Sequence, residues 1–224
     1  MNIEFFISLI SGIISISIFA FKISKQNYFT YFIVAFVIVS VSVDSYNLYC
    51  YLNNRNNLFV VNIYDYISIL LELFFLITVT NLKKIYWFVT AIVLFTFWLM
   101  HAVFNWQNGF EVYSTTLSFI MSMIVCVYSI IATLNILWLE SEYFNRFKSR
   151  SIAVLGFFVF ETSCLIPIST INLELSSEEK RYLSEFYNHV IVVGSIVRNV
   201  LFSLYFILDN RIHKKERVSN SLVI

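Results

Sequence analysis

Residues 28–82 read YFTYFIVAFVIVSVSVDSYNLYCYLNNRNNLFVVNIYDYISILLELFFLITVTNL. Two apolar stretches, 28–52 and 58–82, are separated only by Asn53, Asn54, Arg55, Asn56 and Asn57. A helix rises about 1.5 Å per residue and a bilayer core is about 30 Å thick, so each stretch is long enough to cross it. Neither contains Gly or Pro, so nothing inside them interrupts a helix. A joint this short makes the two helices antiparallel neighbours.

Working outward, the same pattern recurs at 3–23, 85–104, 113–139, 151–170 and 187–208. The expected fold is all-α: a polytopic integral membrane protein of seven transmembrane helices, one bundle over 1–224 with a short tail at 209–224. Composition agrees, with 59% hydrophobic residues and 13% charged, against about 25% charged in soluble proteins. A net charge of +1 offers no basic excess for nucleic acid. Cys50, Cys126 and Cys164 lie in apolar segments without a CxxC spacing, which reads as packing and not as a disulfide framework.

Lys22 and Lys25 follow the first stretch and no basic residue precedes it, the reverse of a signal peptide. With the N-terminus outside and the C-terminus cytoplasmic, Lys22, Lys25, Lys83, Lys84, Arg146, Lys148, Arg150, Arg211, Lys214, Lys215 and Arg217 face the cytoplasm, and Arg55, Lys180 and Arg181 face outward. The positive-inside rule favours this arrangement in a bacterial inner membrane. Ser8 and Gly12 in the first stretch, and Ser118, Ser122, Cys126, Ser129 and Thr133 in the fifth, recur at close-packing spacing. They serve packing within the bundle or the face of a homo-oligomer. In the sixth joint, Ser176 and Glu179 fit a capping box for a short amphipathic helix, either a lid or an extension of the seventh helix.

Ionisable residues within spans are costly, about 2.5–3.5 kcal/mol on insertion scales, and so mark candidate sites. They are Asp44, Asp65, Glu72, Glu161 and Arg198. Helical spacing puts Ser40, Asp44, Asn47 and Tyr51 on one face of the second helix, and Asn62, Asp65, Ser68 and Glu72 together on the third. On the seventh, Ser195, Arg198, Asn199, Phe202 and Tyr205 share a face. Arg198 is expected to form a buried ion pair with Glu161 or Glu72. One cation among four carboxylates leaves acid in surplus. Asp44 and Asp65 lie at the same remove from the joint at 53–57, so they are expected to share a proton or hold a cation. The expected binding site is therefore Asp44, Asn47, Asp65 and His101 in the outer half, with Glu72 at its floor.

His101 and His189 form neither HxxxH nor HExxH, so no metal site, cofactor or catalytic residue is assigned. The seventh helix has no lysine for a retinal Schiff base, and no phosphate-cradling loop is present. The acidic third helix, with Leu71, Glu72, Phe74 and Phe75, and the run Arg198-Asn199-Val200-Leu201-Phe202 carry a resemblance. The chain resembles small seven-helix membrane proteins of Bacteroidota, some of them encoded beside histidine kinases. That resemblance implies a sensory or accessory role and no catalytic residues. The expectation is a membrane sensor or accessory protein that takes a small ligand, lipid or cation in an outward-facing polar cavity and signals to a cytoplasmic partner. A cation or proton transporter or channel is the alternative. A lipid-modifying enzyme or an accessory protein of a defence system is the third reading.

Overall fold

The computed structural model describes residues 3–21, 28–53, 55, 57–79, 83–104, 115–138, 144–170 and 177–221. Among the described residues there are seven helices: α1 (Ile3–Phe21), α2 (Tyr28–Leu52), α3 (Leu58–Val79), α4 (Lys84–Phe104), α5 (Thr115–Trp138), α6 (Phe144–Thr170) and α7 (Ser177–Ser221). Among the described residues there is no strand. Four stretches among the described residues, Phe29–Leu52, Phe59–Val79, Ser118–Ile136 and His189–Asp209, are long and apolar enough to cross a membrane. Phe6–Phe21 and Ile85–Met100 are shorter apolar helices.

Serine and threonine are carried inside these helices by bonding back to their own backbone. Ser42 donates to the Ile38 carbonyl, Thr78 to Phe74, Thr96 to Ile92 and Ser163 to Val159, at 2.6–2.9 Å. A hydroxyl so satisfied adds little cost on an apolar helix.

The helices form a ring in which α1 packs on α2 and α7, α2 on α3, α3 on α5, α5 on α6, and α6 on α7. Across the middle, α2 touches α7 and α3 touches α6. Helix α4 lies outside, against α3 and α5. Aromatic side chains fix it there: Trp87 donates to the Leu70 carbonyl at 3.3 Å, and Tyr66 reaches the Ala91 carbonyl at 3.4 Å. Its outer face, including Phe88, Ile92 and Leu99, is exposed apolar surface.

Two glycines mark the closest approaches. A Cβ on Gly12 would sit 2.5 Å from Val41 Cγ2, and one on Gly194 would sit 2.5 Å from Ser163 Oγ. The serines of the small-residue rows are spent inside the bundle. Ser8 donates to Ser195 at 2.9 Å, and Ser118, Ser122 and Ser129 of α5 are buried.

Two helices run further than their apolar stretches. Helix α6 begins at Phe144 rather than 151, and α7 is 45 residues long, about 65 Å. The separate amphipathic helix expected in the sixth joint is therefore the first part of α7, an extension and not a lid. Ser176, its proposed cap, falls outside the described residues. The tail at 209–224 is helical through Ser221. Hydropathy marks where an apolar run stops, whereas a helix stops where its backbone bonding is broken. Between 177 and 221 the only Gly or Pro is Gly194, itself mid-helix.

Candidate functional site

At the centre of the ring α7 presents Arg198, 1% exposed, and α3 presents Glu72, 0% exposed. Arg198 Nη2 donates to Ser40 Oγ at 3.1 Å and to Ser195 Oγ at 3.2 Å. Ser40 also accepts from Tyr64 Oη at 3.0 Å, which ties α2, α3 and α7 through one hydroxyl. The guanidinium lies over the Phe160 ring, 4.0 Å from its centroid, and 4.9 Å from that of Phe36. Such stacking compensates part of its lost hydration.

The hydrogen-bonding capacity here is not used up. Arg198 Nε and Nη1 and both carboxyl oxygens of Glu72 are buried without a hydrogen-bond partner among the described residues. Glu161, 3% exposed, stands on α6 within hydrogen-bonding reach of Glu72 and of Ser122 on α5. Glu72, Glu161 and Asp44 all lie in the electrostatic field of Arg198. The expected pairing of Glu161 with Arg198 therefore takes the form of proximity. Arg198 spends its bonds on two serines, and no carboxylate among the described residues closes an ion pair with it.

Beneath this polar layer sits an aromatic one. Phe36 stacks edge-on against Phe157 at 5.3 Å and Phe202 at 6.0 Å, while Phe157 meets Phe202 at 4.9 Å and Phe75 at 5.5 Å. Each ring stands one helical turn from a polar member: Phe36 from Ser40, Phe75 from Glu72, Phe157 from Glu161, Phe202 from Arg198. All four rings are essentially inaccessible to solvent. They seal the polar layer on the side where α2 begins.

The opposite side is more open. Asp44, Tyr64 and Asp65 are half-buried there, above Ser40 and Glu72. Asp65 accepts from Ser118 of α5 at 3.1 Å and so belongs to the α3–α5 contact, while Asp44 faces Arg198. The two aspartates thus face different partners. Asn47 accepts from Asn57 at 2.9 Å, and Tyr51, two turns beyond Asp44 on the same face of α2, is 62% exposed near the end of the helix. The side chains of His101 and Asn62 fall outside the described residues. Sequence reasoning named Ser122 only as a packing residue and Phe202 only as a neighbour of Arg198, and missed Tyr64 and the phenylalanine layer as a layer. The signal available for the last was a Phe one turn from every central polar residue.

A second polar cluster lies beyond the aromatic layer. Tyr205 donates to Thr30 at 3.0 Å and Thr30 donates to Asp209 at 3.2 Å, while Arg150 of α6 lies 4.0 Å over the Phe29 ring.

Fold and interior together define a class: an all-helical membrane bundle with opposite charges buried at its centre. No protein-family model, curated protein or solved structure matches the chain.

Proposed function

We propose that this is a seven-span protein of a bacterial inner membrane, N-terminus outside, acting as a sensor or accessory protein. A small ligand enters from the Asp44 and Asp65 side and is read by the polar layer. The response passes along α7 to a cytoplasmic partner. One observation carries this reading: Arg198 and Glu72 hold unused donors and acceptors at the centre of the bundle, over a hydrophobic seal. Unsatisfied buried polar atoms are costly, so a site retaining them is poised to take polar groups from elsewhere. Beyond Asp209 the sequence carries Arg211, Lys214, Lys215 and Arg217, which this topology assigns to the cytoplasmic side. The sensory role implied by the resemblance to the Bacteroidota proteins agrees with this reading.

Topology and site are tested separately. Alkaline phosphatase fused after Asn56 or Gln107 is expected to be active, and fused after Lys84 or Lys148 inactive; activity at Lys84 would overturn the seven-span arrangement. Asp44→Asn and Asp65→Asn, singly and together, should fold as wild type and reproduce the phenotype of gene loss. Normal folding with an intact phenotype would remove both from the site.

The surplus of carboxyl groups favours a second reading, a cation or proton transporter. Flux in proteoliposomes that ends with Glu72→Gln would establish it. The four-ring seal below Glu72 favours a site over an open path.

A further inference from the structure

Glu72 and Glu161 meet where α3 touches α6, within hydrogen-bonding reach, in a part of the core closed to solvent. As two carboxylates they could not bond, because neither donates, and their like charges would repel strongly away from water. Ser122 is in reach of Glu161, and among the described residues no donor reaches either oxygen of Glu72. One added proton removes both defects. It turns one carboxyl into a donor toward the other, a strong charge-assisted bond, and leaves the pair with a single negative charge. That charge balances Arg198, which is in the field of both acids.

We propose that Glu72 and Glu161 form an occluded proton-binding site, one proton held between two carboxyls, with Arg198 as its counter-charge. The proposal does not depend on the small-ligand reading. The other titratable groups around the pair have their own neighbours. On α3, Asp65 bonds to Ser118 and Tyr64 to Ser40; on α2, Asp44 faces Arg198. On α5, Cys126 lies 3.8 Å from Thr162. On α6, Cys164 stands one turn beyond Glu161 as a thiol near both glutamates. None of these replaces the proton between the two carboxyls.

Release of the proton leaves two carboxylates and sends H⁺ out past Tyr64 and Asp44, since the phenylalanine layer closes the other side. Arg198 then has one charge to answer two. Its unused Nε and Nη1 can turn to the new carboxylate only by loosening the bonds to Ser40 and Ser195. Proton occupancy is thereby coupled to the seating of α7 against α2.

The test is infrared spectroscopy of the full chain in lipid nanodiscs, with ¹³C-carboxyl glutamate to assign the signal. At neutral pH the wild type should show the carbonyl stretch of a dry, protonated glutamic acid that moves on exchange into D₂O. The band should vanish in Glu72→Gln and in Glu161→Gln, which stay folded because the amide donates in place of the proton. It should persist in Asp44→Asn and Asp65→Asn. Absence of a glutamic acid band in the wild type would overturn the proposal, and so would its survival in both glutamine variants. Were either variant not to fold, the labelled wild-type spectrum alone decides. Aspartate variants that reproduce the gene-loss phenotype while the wild-type band is missing would mark failure of this site and not of the ligand reading.

Discussion

Arg198 is the side chain through which most of the interior is organised. It bonds to α2 and to its own helix, stacks on rings from α2 and α6, and faces acids from three helices. Removing one member of a compensating set of buried charges leaves the rest exposed to the low dielectric, typically a loss of about 3–5 kcal/mol. Arg198→Ala should therefore lower the yield of folded protein and its melting temperature in detergent. Adding Glu72→Gln and Glu161→Gln together should recover part of the loss, because the two amides remove the single charge that Arg198 had answered. Arg198→Lys should fall between, since a lysine ammonium cannot both stack flat on Phe160 and fork to Ser40 and Ser195. An Arg198→Ala protein melting like wild type would show that the guanidinium holds nothing together. The residue itself was legible in the sequence, because a guanidinium amid apolar neighbours stands out. Its partners were not, since charge alone named carboxylates where the geometry chose two hydroxyls and two rings.

At the scale of elements, α6 and α7 share the most extensive contact, and Gly194 lets their backbones approach closely. A Cβ there would meet Ser163 Oγ at 2.5 Å and Ser163 Cβ at 2.6 Å, distances at which one helix must move. Overpacking of this kind typically costs about 1–3 kcal/mol. Gly194→Ala should lower the melting temperature accordingly. Ser163→Gly added to it should restore much of the loss, whereas Ser163→Ala should not, because the Cβ remains in the way. Equal behaviour of the two second-site changes would mean that the helices part without strain. Helix positions were readable from apolar length, and α2, α3 and α4 lie within a few residues of expectation. The long reach of α7 was not, because polar residues from 177 to 188 and beyond 209 look like joints to a hydropathy argument although nothing in them breaks a helix. Likewise, equal distance of Asp44 and Asp65 from the 53–57 joint fixed their depth but not their rotation, and rotation sends Asp65 toward α5.

At the scale of the whole molecule, the bundle is layered. From the side where α2 begins come the Thr30, Tyr205 and Asp209 cluster, the four phenylalanines, the charged layer, and then the half-buried Asp44, Tyr64 and Asp65. Helices running in opposite directions contribute to each layer, so Phe precedes the polar residue in α2 and α6 and follows it in α3 and α7. That reversal hides the layer in a linear reading and makes it plain once the helices are assembled. It also makes access one-sided. In a background without Cys50, Cys126 and Cys164, Asp44→Cys should react with a membrane-impermeant maleimide added from the side of the 53–57 joint. Phe157→Cys and Phe202→Cys should resist the reagent from either side, because three of the four rings still close the layer. Rapid labelling at Phe157→Cys from the side where α2 begins would mean that water reaches the charged layer through the phenylalanines. Arg198 and Glu72 would then be hydrated through that route, their unused bonds would be met by solvent, and the centre of the bundle would be a conduit in place of a closed site.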